Sequence, residues 1–228
     1  MTSLCEVCGG NEFRFEAVLW DELVEAWGLS QEERKYIDRQ QGECCSNCGA
    51  NLRSIALAGS IRSHLGMSHW LKDEMGHRRW RKLKILELNE AGTLSPLLSQ
   101  QAGHVLGCYP EVDMQAMDFP DESFDLVVHS DTLEHVPDPV KALSECHRVL
   151  RPGGACCFTI PIIIGRLSRR RDGLPPSWHG EPGTSQDDWS VQTEYGADAW
   201  CQVLEAGFSK VTLTSVAFPC AVAMAAVR

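Results

Sequence analysis

The chain has 228 residues, 43% of them hydrophobic, which is enough for one full α/β domain with a small appendage. A formal net charge of −10 argues against a nucleic-acid partner, since such proteins usually present a basic surface. The opening MTSLCEVCGG has no basic stretch leading into an apolar run, and no segment offers the roughly 20 apolar residues of a membrane helix. The expectation is a cytoplasmic protein with no membrane partner.

Eleven cysteines are present, and their spacing is more informative than their number. Cys5 and Cys8 form one C-x-x-C pair, Cys45 and Cys48 another, and each pair is followed by glycine, Gly9 and Gly49. In a reducing compartment such pairs are metal ligands before they are disulfides. Four thiolates favour tetrahedral structural Zn2+ with no position left open for chemistry. The competing reading is four free or redox-active cysteines. Cys44 adjoins Cys45, and the C-x-x-C spacing selects Cys45. Cysteines in apolar settings, such as Cys156 and Cys157 between Ala155 and Phe158, read as small buried hydrophobes.

Between the pairs, apolar spacing predicts an amphipathic helix over residues 18–27. Ser30-Gln31-Glu32-Glu33 reads as a capping box that opens a helix running to about Gln41. A further helix covers residues 52–65. A basic, aromatic segment at 77–84 then leads into alternating strands and helices. Strands are expected at 84–88, 104–108 and 123–130, the last a strong buried one. Helices are expected at 94–101 and 139–150, the second with Pro139 in its first turn. Arg151-Pro152-Gly153-Gly154 stops that helix and turns, and a strand follows at 155–161. After an irregular excursion over 162–192 come a helix near 196–206 and strands at 211–216 and 221–227. The link between those last strands, at Phe218-Pro219, is too brief for a crossover helix and predicts one antiparallel edge strand. Alternation of this kind implies an α/β fold, a doubly wound, mostly parallel sheet with helices on both faces.

The densest signal runs from Asp113 to Gly154. Phe119-Pro120-Asp121-Glu122-Ser123-Phe124-Asp125-Leu126-Val127 is followed by Leu133-Glu134-His135-Val136-Pro137-Asp138-Pro139 and then by Arg148-Val149-Leu150-Arg151-Pro152-Gly153-Gly154. This ordered run resembles the class I S-adenosylmethionine-dependent methyltransferases of the small-molecule type, whose cores carry FPD-x-SFDLV, LEHV-x-DP and RVL-x-PGG. The resemblance covers residues 84–228 and implies a Rossmann-like, seven-stranded sheet. Methyltransferases with two C-x-x-C pairs and a following arginine also occur in this fold class, and Arg53 matches that arginine.

The resemblance implies a set of cofactor residues. The first strand ends at Glu87, and its loop should let backbone approach S-adenosylmethionine. Here Asn89 and Ala91 stand where glycines are expected, and Gly92 remains. The acid that should end the second strand and hold the ribose is absent or displaced to Glu111. Asp113 and Met114 match the adenine-binding positions, and Ser130 the methionine end. Asp131, Glu134 and His135 cluster at a helix start, where they either orient the loop by hydrogen bonds or bind a divalent cation. In the excursion, His179 beside Trp178 is the candidate general base, with Asp187 and Asp188 close by in sequence and His135 as a second base. Arg166, Arg169, Arg170 and Arg171 either bind an anionic substrate or form a solvated face.

The reading is therefore a zinc-binding, helical N-terminal region at residues 1–60 and a methyltransferase core at 61–228. The implied reaction moves a methyl group from S-adenosylmethionine to an oxygen, less readily nitrogen or carbon, of a small-molecule acceptor. Two alternatives stay open: an RNA methyltransferase using the basic segment, and a non-catalytic scaffold that has lost the cofactor.

Overall fold

Apolar runs bounded by turn residues become strands, and the capped, periodic segments between them become helices. The computed structural model describes residues 4–177 and 190–228. Its first half holds β1 (Phe13–Phe15), α1 (Asp21–Ala26), α2 (Gln31–Gly42), β2 (Glu43–Cys45), α3 (Leu52–Leu65) and α4 (Leu71–Glu74). The α/β part follows with β3 (Lys84–Leu88), α5 (Ser95–Leu98), β4 (Gly103–Gly107), β5 (Phe124–Ser130), α6 (Pro139–Val149) and β6 (Leu150–Thr159). The last elements are β7 (Ile162–Ile163), β8 (Arg169–Arg170), β9 (Thr193–Gly196), α7 (Trp200–Glu205), β10 (Lys210–Val216) and β11 (Ala221–Val227).

The main sheet has the order β10-β11-β6-β5-β3-β4. β3 pairs in parallel with β4 and β5, and β5 with β6. Strands buried on both faces need no alternation, so β3 and β5 carry continuous apolar runs: Ile85, Leu86, Leu126, Val127 and Val128 are fully buried. One face is covered by α3, which packs on β6, β10 and β11. The other is covered by α6 and α7, whose Leu143, Cys146, Val149 and Val203 join Val127 and Phe158 in one apolar cluster. Asp138 caps α6 by accepting the Lys141 N–H, with Pro139 in the first turn.

Three expectations change. The sheet contains six strands among the described residues, where the resemblance implied seven. The link from Gly107 to Phe124 is too short to hold another strand and its crossover helix, so β5 follows β4 directly. The antiparallel strand is β11, and it lies inside the sheet between β6 and β10, not at the edge. The helices expected at 94–101 and 196–206 shrink to α5 and α7, because a helical turn (Gly92–Leu94) and strand β9 take part of each span.

In the N-terminal part the capping box forms as read. The Ser30 hydroxyl accepts from Glu33 N at 3.3 Å, and the Glu33 carboxylate accepts from Ser30 N at 2.8 Å. The small antiparallel β1–β2 pair brings Phe13 opposite Cys45, a pairing with no periodic signal in three-residue strands. Helix α3 spans the expected boundary at residue 60; residues 52–61 are all buried, against the sheet on one side and the cysteine-bearing segment on the other.

Candidate active site

In a doubly wound sheet the loops diverge where strand order reverses, and ligands bind beyond the carboxyl ends of the strands at that point. Here β3 lies between β4, which follows it, and β5, which comes next, so the reversal falls at β3. A cleft of about 1320 Å³ opens there, lined by the loops after β3, β4 and β5 and roofed by residues 18–27 and α2. That exceeds the about 300–1,000 Å³ of an ordinary small-molecule site, so it can hold a cofactor and a second molecule together.

The loop after β3 explains how the altered glycine pattern is tolerated. Asn89 takes a left-handed backbone with φ of 54°, which asparagine accepts more readily than most residues. Its N–H donates to the Gly107 carbonyl at 2.9 Å, and its side-chain oxygen accepts from Tyr109 N at 3.1 Å. Gly92 is also left-handed, at φ of 55°. Asn89 and Gly92 both line the cleft. Glu87 does not. It is fully buried, accepts from Ala91 N at 2.7 Å and lies 2.6 Å from the His104 ring nitrogen. Its role in this structure is to hold the loop's shape from beneath.

Asp113, Met114 and Ser130 line the same cleft. One Asp113 carboxylate oxygen accepts from Gln115 N at 2.8 Å, and the Ser130 and Thr159 hydroxyls are bonded at 2.8 Å. Glu111 is exposed and does not line the cleft, whereas Glu90, on the loop after β3, does. Burial raises the Cys108 thiol pKa, and Glu90 is the first of the carboxylates adding to that rise, so its charge reaches the end of β4. No sequence motif marked Glu90.

Beyond Ser130 the chain turns sharply. Asp131 is left-handed, at φ of 51°, and its carboxylate is ion-paired with Arg53 of α3. The Arg53 side chain is only 4% exposed, so a buried cation from the N-terminal region meets the loop after β5 directly. His135 lines the cleft, its Nδ1 lying 3.2 Å from the Ser190 carbonyl. Beside it Glu134 is buried, with Oε1 3.8 Å from His135 Nε2. Burial, reinforced by the Asp131 charge, pushes the Glu134 carboxyl well above the usual range. His179, Trp178, Asp187 and Asp188 lie outside the described residues.

The roof is tied down from the far side of the chain. Arg166 forks onto both Glu33 carboxylate oxygens, at 2.7 and 2.8 Å, and donates to the carbonyls of Trp27 and Gly28. Trp27 donates its indole N–H to Ser177 at 2.8 Å. Arg169 and Arg171 both pair with Glu194, and Arg170 with Asp172. Each arginine of the run thus has an acidic partner. The basic segment at 78–82 precedes β3 and sits at the amino ends of the parallel strands, opposite the cleft.

The four cysteines converge as their spacing suggested. Their sulfurs all lie within 4.8 Å of one another, with Cys5–Cys48 and Cys8–Cys45 each at 3.7 Å. A tetrahedron with metal–sulfur bonds of about 2.3 Å has edges of about 3.8 Å. Gly9 and Gly49 take φ of 75° and 76°, turning the chain so that amides of Cys8, Gly10 and Ala50 face the sulfurs.

Residues 93–158 match the family profile described as a methyltransferase domain. The "Probable S-adenosylmethionine-dependent methyltransferase" of Mycolicibacterium smegmatis is 41% identical over 78 residues, 32% of this chain and 30% of that protein. The ubiquinone biosynthesis O-methyltransferase of Pseudomonas entomophila is 29% identical over 107 residues, 46% of each chain. The chain thus matches less than half the length of these curated relatives. Among solved structures, a SAM-dependent methyltransferase from Aquifex aeolicus covers 63% of this chain and 81% of its own at 13% identity, with a TM-score of 0.42. The citrinin polyketide synthase CMeT domain covers 91% of this chain and 59% of its own at 14% identity, with a TM-score of 0.46. Residues 93–158, which run through the centre of the main sheet, are thus similar to a methyltransferase domain, and the similarity to the curated S-adenosylmethionine-dependent methyltransferases is confined to part of the chain.

Proposed function

We propose that the protein transfers a methyl group from S-adenosylmethionine to an oxygen of a small-molecule acceptor. The observation that carries this reading is the convergence of Asn89, Gly92, Asp113, Met114 and Ser130 on one cleft at the strand-order reversal. Bound there, S-adenosylmethionine supplies an electrophilic methyl on its sulfonium. The protein's tasks are then to orient the acceptor, exclude water and take up a proton. Asp113 is assigned to the adenine end. Glu90 is the carboxylate available for the ribose hydroxyls. Ser130 is assigned to the methionine end.

His135 is the assigned proton acceptor. With Nδ1–H donating to the Ser190 carbonyl, Nε2, 3.8 Å from Glu134 Oε1, is the basic nitrogen. His179 is retained on sequence grounds as the other candidate base. The four thiolates of Cys5, Cys8, Cys45 and Cys48 suit structural Zn2+, whose part is to brace the segment that carries Arg53 and the roof. A small-molecule acceptor is favoured over RNA because the basic segment lies at the opposite end of the sheet.

Titration calorimetry with S-adenosylmethionine tests the reading. Binding is expected, and Asp113→Ala should weaken it by about 1–3 kcal/mol, or about 5- to 150-fold. No binding to the unaltered protein would overturn the function, and an unchanged dissociation constant in Asp113→Ala would overturn the adenine assignment.

A further inference from the structure

The part of the cleft that the cofactor residues do not form has a chemistry of its own. Its roof is built by Trp20, Leu23 and Trp27 around α1 and by Ile37 of α2. Leu23, Trp27 and Ile37 are buried at 8%, 8% and 6% exposure, and Trp20 is half-buried, so the indole and alkyl surfaces face inward and not to solvent. Trp27 cannot swing aside cheaply, because its indole is bonded to Ser177 and its carbonyl is held by Arg166. A rigid aromatic wall of this kind favours flat apolar partners.

Charge points the same way. Among the described lining residues Arg53 is the one arginine or lysine, and Asp131 already neutralises it. The other charged groups of the lining are the carboxylates of Glu90 and Asp113. The cations of the excursion are occupied as well: Arg166 by Glu33, Arg169 and Arg171 by Glu194, and Arg170 by Asp172 and the Pro137 carbonyl. A phosphate or carboxylate on the acceptor would thus lose its hydration without gaining a cation, which is costly in a partly dehydrated site.

We propose that the acceptor is an uncharged, flat, largely apolar molecule of aromatic-ring size or greater, bound against the Trp20–Trp27 wall, and that anionic acceptors are rejected. This inference rests on the methyl-transfer reading, and the experiment below separates the two failures.

The probes are 2-naphthol and 2-naphthyl phosphate, identical in ring and opposite in charge class. Each is titrated calorimetrically into full-length protein saturated with S-adenosylhomocysteine. The naphthol should bind at least about tenfold more tightly than its phosphate, since an unpaired phosphate costs more than the about 1.4 kcal/mol of a tenfold change. Trp20→Ala should weaken naphthol binding about tenfold through loss of aromatic contact, and Trp20→Phe should restore most of it. Affinity for S-adenosylhomocysteine should stay constant in both variants, which also shows that they are folded. Equal or tighter binding of the phosphate would overturn the inference, as would absence of naphthol binding or an unchanged affinity in Trp20→Ala. If S-adenosylhomocysteine itself does not bind the unaltered protein, the methyl-transfer reading fails instead.

Discussion

His129 offers a quantitative check on how the sheet is packed. It lies in β5 with its ring fully enclosed, stacked on Phe158 at 4.7 Å between centroids, and neither ring nitrogen has a hydrogen-bond partner. Burial drives its pKa from 6.5 down to about 3. The unfolded chain therefore takes up a proton near pH 6.5 that the folded chain refuses until near pH 3. Stability from this group is complete above pH 6.5 and is lost as pH falls below it. Integrating the proton linkage between pH 7 and pH 5 gives a loss of about 2 kcal/mol. In His129→Leu that loss disappears, because no imidazole remains to be protonated. Urea denaturation of both proteins at pH 7 and pH 5 measures the difference directly. The unaltered protein should lose about 2 kcal/mol more than the variant over that interval. At pH 7 the variant should be at least as stable, since it buries no unpaired nitrogen. Identical pH dependence in the two proteins would refute the enclosed, neutral His129.

Elemental analysis of desalted protein should find about one zinc per chain, and Cys5→Ser should lower both the zinc content and the melting temperature; a well-folded, metal-free protein would overturn the site. Arg53→Met leaves Asp131 without its cation. Because the Asp131 side chain is 31% exposed, the cost should fall at or below the low end for breaking a buried pair, about 2–3 kcal/mol in urea denaturation. Adding Asp131→Asn should recover part of that loss, and strict additivity of the two changes would contradict a direct pairing. The Arg166 guanidinium holds the Glu33 carboxyl at about 2, against an ordinary 4.5. Its contribution is therefore present above pH 4.5 and fades as pH falls toward 2. Glu33→Gln should cost about 1–2 kcal/mol at pH 7, and the gap to the unaltered protein should narrow in unfolding measurements below pH 4.5.

Much of the candidate site was legible because it is local. Asp113, Met114, Ser130 and His135 follow strand ends within one motif-rich stretch, and the cleft gathers all four. The cysteine quartet was legible because a C-x-x-C turn places its two sulfurs together wherever it occurs. Glu87 was misplaced for a matching reason. Sequence position puts it at the end of a strand, but the pleat decides which way its carboxylate points, and here it points inward to Ala91 N and His104. The roof was not legible at all. Trp27 and Ser177 are far apart in sequence, as are Arg166 and Glu33, and no periodicity links them.

By itself the sequence determined the elements whose signals repeat within a few residues. The buried apolar runs of β3 and β5, the Ser30 capping box, the Pro139 helix start and the paired cysteines are all of this kind. These follow from backbone geometry and solvent, which act on neighbours along the chain. The tertiary structure alone decided that β11 enters the sheet between β6 and β10, that Arg53 reaches Asp131, and that an aromatic N-terminal roof closes over the cleft at the strand-order reversal. Such choices depend on which distant surfaces can be buried together with their charges neutralised, and that energy belongs to the assembled core, not to any one segment.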